Sequence, residues 1–220
     1  SSAKNLITLF FSGLLIFTNW AVWIYAVSSD QIINASFGYF IMPILSVFFG
    51  ILFLKEKYNM QKIISISLVI ISVIYLLFNY ASVPWVGLIV GITWSLYSFL
   101  RKKINVDSDI GLLIESLYIS PLALLIFYII ALDGNYYFSF TNPQIAFWLF
   151  LAGPMTVIPL FLFLKGVDLA GLGTSGMIFF IAPTGQFLLG IFYYNEYFDL
   201  NKLIGFIIIW IAVAIYLHDL

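Results

Sequence analysis

Eight uninterrupted apolar runs, each about as long as a bilayer is thick, leave this chain little choice of fold. A helix rising about 1.5 Å per residue needs about 20 apolar residues to cross the roughly 30 Å hydrocarbon layer. The runs cover 5–28 (a), 35–54 (b), 62–79 (c), 84–101 (d), 110–131 (e), 144–165 (f), 174–194 (g) and 202–218 (h). Lipid offers backbone groups no hydrogen-bond partner, so only helices or closed barrels span it. These runs are continuous and not alternating, which rejects a barrel. The expected fold is an all-α integral membrane bundle of about eight transmembrane helices. Composition agrees: 63% of the 220 residues are hydrophobic and 9% charged, against about 25% charged in a soluble domain. A signal peptide does not explain the first run, which is too long, lacks a small-residue cleavage signal and is followed by seven more.

Much chemistry is absent. There is no Cys, which removes disulfides, thiolate metal sites and Cys nucleophiles. The single His, His218, sits two residues from the end, and the net charge of −1 gives no electrostatic case for nucleic acid. One terminal His and one carboxylate within a span, Glu115, do not make an enzyme's acid, base or metal constellation. No enzyme activity, metal or cofactor is expected, and no phosphate-binding loop is present.

Lys and Arg in the connections set orientation. One set of connections holds Lys4, Lys55, Lys57, Lys62, Arg101, Lys102, Lys103 and Lys165, while the opposite set holds Lys202 alone. The first set is therefore expected to be cytoplasmic, with both ends of this chain on that side. The outer connections are then 29–34, 80–83, 132–143 and 195–201, the longest carrying an interfacial aromatic segment at Tyr136-Tyr137-Phe138.

A shift of 140 residues lays helix b on g and c on h without a gap, pairing Phe40 with Phe180, Ile41 with Ile181, Pro43 with Pro183, Gly50 with Gly190, Ile51 with Ile191, Glu56 with Glu196 and Lys62 with Lys202. Helix a then falls on f, Gly13 on Gly153. Helices d and e have no partners in this chain, and their equivalents are expected before residue 1. The expected organisation is two inverted five-helix repeats, ten helices in the intact protein. Residues 1–80 would be the last three helices of the first repeat, and 84–218 the complete second one. An odd number of helices per repeat reverses the second half, and inverted repeats place a transporter's solute site between the halves near the midplane.

Pro43 and Pro183 lie close to the bilayer centre and each removes an amide proton, freeing the carbonyls of Tyr39 and Phe179. They are candidate hinges beside a central cavity, the alternative being a packing kink. Candidate solute contacts are Asn19, Trp20 and Trp23 on a, Tyr39 and Met42 on b, Tyr97 on d, Thr156 on f, and Thr184 and Gln186 on g. For each polar member the competing role is a hydrogen bond between neighbouring helices; Ser95 on d is read the same way. Glu115 is a candidate coupling site for a proton or other ion; its rival role is an ion pair with Arg101, Lys102 or Lys103. Glu56 and Glu196 are read as caps or loop anchors, and Thr174 in Leu172-Gly173-Thr174-Ser175-Gly176 as an N-cap for g.

On these residues the chain resembles the RarD family, also called chloramphenicol-sensitive proteins, in the EamA branch of the drug/metabolite transporter superfamily. The matching segments are Asn19-Trp20 with Trp23 to Val27, Gly38-Tyr39-Phe40-Ile41 with Pro43, Phe53-Leu54-Lys55-Glu56, Arg101-Lys102-Lys103 with Val106, and Gly111-Leu112 with Glu115. Ala152-Gly153, Thr156, Pro159-Leu160 and Ile181-Ala182-Pro183-Thr184 with Gln186-Phe187-Leu188 agree in the second half. The resemblance implies ten helices, two EamA repeats, cytoplasmic ends, a start at the third helix and permease-like transport. Met42 stands where the family usually has Asn, and Phe179-Phe180 where it has Gln-Tyr. Losing three polar groups near the midplane weighs against a polar solute and against retained activity.

The expected activity is that of a permease moving a small organic metabolite or drug-like solute by alternating access. The alternative is a non-transporting or degenerate member of the same fold. The expected partners are the lipid bilayer, the small-molecule solute and a proton or other ion, with monomer and homodimer both open. The expected location is a bacterial inner membrane, crossed several times, with the C-terminus cytoplasmic.

Overall fold

The computed structural model describes residues 3–29, 35, 38–78, 85–104, 106–132, 134, 138, 142–192 and 200–218, with side chains except at 186, 187, 189–191, 201 and 202. Their order is α1 (Ala3–Ser28), α2 (Gly38–Leu54), α3 (Met60–Phe78), α4 (Trp85–Lys103), α5 (Ser108–Leu132), α6 (Pro143–Ala170), α7 (Leu172–Ile178), α8 (Ile181–Phe192) and α9 (Leu200–His218). No strand occurs among the described residues. Four of these helices, α1, α3, α5 and α6, are long and apolar enough to cross a membrane by length and composition alone. Helices α2 and α9 and the α7–α8 pair are shorter apolar pieces, and α4 closes on Arg101, Lys102 and Lys103.

Two departures from the sequence reading matter for the site. Helix α6 runs five residues past the expected end at 165, to Ala170. Run g is not one kinked helix: α7 and α8 are separated by the turn residues Phe179 and Phe180. Pro183 has no amide proton for the Phe179 carbonyl, which accepts instead from the Ala182 amide at 3.0 Å, one residue short of the helical register. Phe180 N–H likewise reaches only to Met177 O, at 3.3 Å. Pro43 by contrast sits inside an unbroken α2. Thr174 is not the N-cap of g, because the helix already starts at Leu172; its hydroxyl lies 3.4 Å from that of Tyr216.

Helices α2 and α7 cross antiparallel and in contact. Along the pair, Glu56 meets Leu172 and Gly173, Ser46 and Pro43 meet Gly176, and Tyr39 meets Phe179, the numbers of one strand of contacts falling as those of the other rise. Small residues let the backbones close in, as helices in lipid require: a Cβ on Gly176 would stand 2.7 Å from that of Ser46.

Helices α3 and α9 form a second such pair. Ser65 Oγ donates to the Ala212 carbonyl, and Ser72 Oγ to the Gly205 carbonyl at 2.7 Å. The 140-residue shift takes 65 to 205 and 72 to 212. The two bonds therefore exchange partners under the shift, as contacts across a local two-fold axis do. Phe40, Val69, Val73, Phe180, Phe206 and Ile209 fill the core between these pairs.

Helix α4 lies between α1 and α2. Asn19 Nδ2 donates to Val90 O at 2.8 Å and to Thr93 Oγ1 at 2.9 Å, and Ser95 Oγ donates to Met42 O at 3.2 Å. Gly87 and Gly91, four apart, face Gly38 of α2 so closely that a Cβ on Gly38 would stand 2.7 Å from Gly87 O. The outer lengths of α5 (116–132) and α6 (143–159) stand almost wholly exposed in the described molecule.

Candidate functional site

Rings from five segments meet where the two antiparallel helices cross. Trp23 of α1 packs edge-on against Tyr39 of α2, centroids 5.4 Å apart at 73°. Phe163 of α6 packs edge-on against Phe179, at 5.6 Å and 79°. The shift takes 23 to 163 and 39 to 179, so the two ring pairs correspond under it. Tyr39 stacks on Phe179 at 5.9 Å and 19°, which joins the two pairs at equivalent positions. Edge-on and offset-stacked pairs are the geometries the ring quadrupole favours.

Trp94, midway along α4, completes the group. Its ring lies 5.3 Å from Phe163 and 5.6 Å from Phe179. Its indole N–H is buried and finds no acceptor among the described residues. A buried unmade donor costs about 1–3 kcal/mol, so such a group calls for a partner. Beside the rings, Phe163, Gly166, Ala170, Ser175 and Phe179 line an apolar groove of about 410 Å³ between α6 and the α7–α8 break.

The residues anticipated from sequence are distributed as follows. Trp23 and Tyr39 belong to the ring cluster. Asn19 ties α1 to α4, and Thr184 Oγ1 accepts from Trp210 Nε1 at 2.9 Å, tying α8 to α9. Met42 and Pro43 are buried on α2, and Pro183 is buried on α8. Thr156 is exposed, and its hydroxyl turns back to Ala152 O and Gly153 O of its own helix. The side chain of Gln186, like Glu196 and the 195–199 connection, lies outside the described residues. Trp20 and Glu115 border a different cavity, about 240 Å³, between α1, α5 and α6.

Glu115 is 3% exposed, with its oxygens turned into the bundle. Oε1 accepts from Ser12 Oγ and lies 3.6 Å from Arg101 Nε, and Oε2 accepts from Tyr97 OH at 3.3 Å. Arg101, 5% exposed, donates through Nη2 to Ser108 O at 3.2 Å. Ser108 Oγ in turn donates to Asp168 Oδ2, and Lys102 Nζ to Asp168 O. This network binds α1, α4, α5 and α6 together at the lysine-rich end.

Sequence reasoning missed Trp94 and Phe163, and it read Phe179 as a carbonyl freed by Pro183 and as a departure from the family, not as a ring of the site. The signal was present: applying the repeat shift to Trp23 and Tyr39 lands on Phe163 and Phe179.

The profile of the EamA-like transporter family matches residues 1–78. YojE of Bacillus subtilis, named as an uncharacterized transporter, is 38% identical over 98% of this chain and 72% of its own length. Protein RarD of Salmonella typhi is 31% identical over 98% of this chain and 74% of its own. For protein RarD of Escherichia coli the figures are 32%, 94% and 70%.

Proposed function

The chain belongs to the RarD group of the EamA-like transporter family, and from that premise we propose that it carries a small, largely apolar organic solute with a hydrogen-bond acceptor, by alternating access. It is a multi-pass membrane transporter. The buried indole N–H of Trp94, unmatched among five rings, is the observation that carries the solute's chemistry. Aromatic walls suit a flat apolar body, and one precisely aimed donor selects a carbonyl or ether oxygen. The rings are packed on one another, so the site opens when α2 and the α7–α8 break part.

The two-repeat organisation belongs to the same proposal. Supporting it are the exchanged serine bonds of α3 and α9, the matched ring pairs and the antiparallel α2–α7 crossing. Helix α4 sits between α1 and α2, and α5 packs on α1. Counterparts of α4 and α5 would by symmetry lie between α6 and α7–α8 and along α6. Those places hold the groove beside Phe163 and the exposed length of α6. The lysine-rich end faces the cytoplasm in this reading, in a bacterial inner membrane.

Counterflow in proteoliposomes tests the reading, with radiolabelled benzamide and its N-alkyl derivatives as probes. Saturable exchange is the expected outcome. Trp94→Phe keeps the ring and removes the donor, and KM should rise about tenfold, the worth of one hydrogen bond near 1.4 kcal/mol. An unchanged KM would detach the indole from recognition, and absence of saturable exchange for every aromatic probe would remove the solute class.

A further inference from the structure

One carboxylate at the lysine-rich end reaches from its own helix to another. Glu56 follows the last turn of α2, where Lys55 takes φ 56° and the Glu56 amide returns to Gly50 O at 3.0 Å. Its side chain does not serve its own helix. It crosses to α7, where Oε1 accepts from Leu172 N–H at 2.7 Å and Oε2 from Gly173 N–H at 3.1 Å. First-turn amides have no partner within their helix and carry partial positive charge, so a carboxylate is the favoured acceptor.

The surroundings are cut to fit it. Tyr58 OH donates to Glu56 Oε2 at 2.9 Å. Burial, with Tyr216 and Glu56 nearby, raises the Tyr58 hydroxyl far above the ordinary phenol range, so it stays a donor. A Cβ on Gly50 would stand 2.6 Å from Oε2, and one on Gly171, at φ 88°, would stand 2.9 Å from Oε1. A Cβ on Gly173 would overlap the Tyr58 hydroxyl. Three glycines, from α2 and from the start of α7, thus clear one seat for one carboxylate.

We infer that Glu56 is a positioning residue that latches α7 to α2 and so holds the lysine-rich end of the carrier shut. Helix α7 is a rod of seven residues, about 10 Å long. Glu56 grips one end of it and Phe179 follows at the other, so release at Glu56 frees the ring on which Tyr39, Trp94 and Phe163 converge. This rests on the proposal that solute passes between α2 and α7.

The chain contains no Cys, so a single introduced thiol reports one place. Ser46 is buried against Gly176 just inside the latch. In proteoliposomes of the full chain without solute, Ser46→Cys should react slowly with a water-soluble methanethiosulfonate. Adding Glu56→Gln should speed labelling about tenfold, the effect of weakening a charge-assisted pair of bonds. Tyr58→Phe, which keeps the carboxylate, should give a smaller rise of about threefold, near 0.6 kcal/mol. Ser72→Cys, buried at the α3–α9 contact, should stay as slow as before. Unchanged labelling at Ser46→Cys would overturn the latch, as would equal acceleration at Ser72→Cys, which means general loosening. Benzamide counterflow is read separately: faster labelling in a protein that exchanges no probe upholds the latch and counts against the solute class alone.

Discussion

Replacing Arg101 with alanine is expected to lower stability by about 3–5 kcal/mol, because it leaves Glu115 charged, buried and without a counter-ion. The carboxylate keeps Ser12 and Tyr97 as donors, but neither carries charge. The second substitution Glu115→Gln should recover a large part of the loss, since it removes the charge while its carbonyl oxygen accepts from one hydroxyl and its NH2 donates to the oxygen of the other. Gly111→Ala should produce a comparable defect by another route, because its Cβ would occupy the space of the Arg101 guanidinium. Unfolding in detergent with each variant, and the double-variant cycle, measures the effect. Equal stability of Arg101→Ala and the parent would show that this network holds nothing together. Of the three cations read as rival partners, Arg101 is the one beside Glu115, together with the hydroxyls of Ser12 and Tyr97.

Gly38→Ala is the other change expected to act strongly, at about 1–3 kcal/mol and with loss of probe exchange. The obstacle to its Cβ is backbone: Gly87 O at 2.7 Å and Gly91 N at 2.9 Å. A side chain could rotate away, but two helix backbones must separate, and Tyr39 would move with α2 away from Trp23 and Phe179. Gly13→Ala is the matched control, since its Cβ would meet nothing nearer than 3.5 Å, an ordinary contact, and the helix gains about 0.5–1 kcal/mol from losing a glycine. If both alanines behave alike in melting and in benzamide counterflow, the close α2–α4 crossing is not what positions the site.

The broken g helix shows how far local chemistry reaches. Pro183 announced that the Phe179 carbonyl would lose its helical partner, and it does; that the chain would split there into α7 and α8, while α2 tolerates Pro43 unbroken, was not written in either proline. The start of α7 is held from outside by Glu56, and its body is pressed against Ser46 and Pro43. Those contacts place the two halves independently. Thr174 was misjudged as a cap for the same reason: a carboxylate 116 residues away in sequence already occupies the helix start.

What the amino-acid order determined by itself is the part imposed by lipid. Lipid acts on each segment alone, so the apolar runs marked the helices and their order. The tertiary structure alone decided which polar groups join helices and which rings converge. In a membrane both faces of a helix are apolar, so hydrophobic periodicity does not say which face meets a neighbour. Asn19 with Val90, Thr184 with Trp210 and Trp94 with Phe179 are pairings between separate helices, and such pairings exist only once the helices have packed.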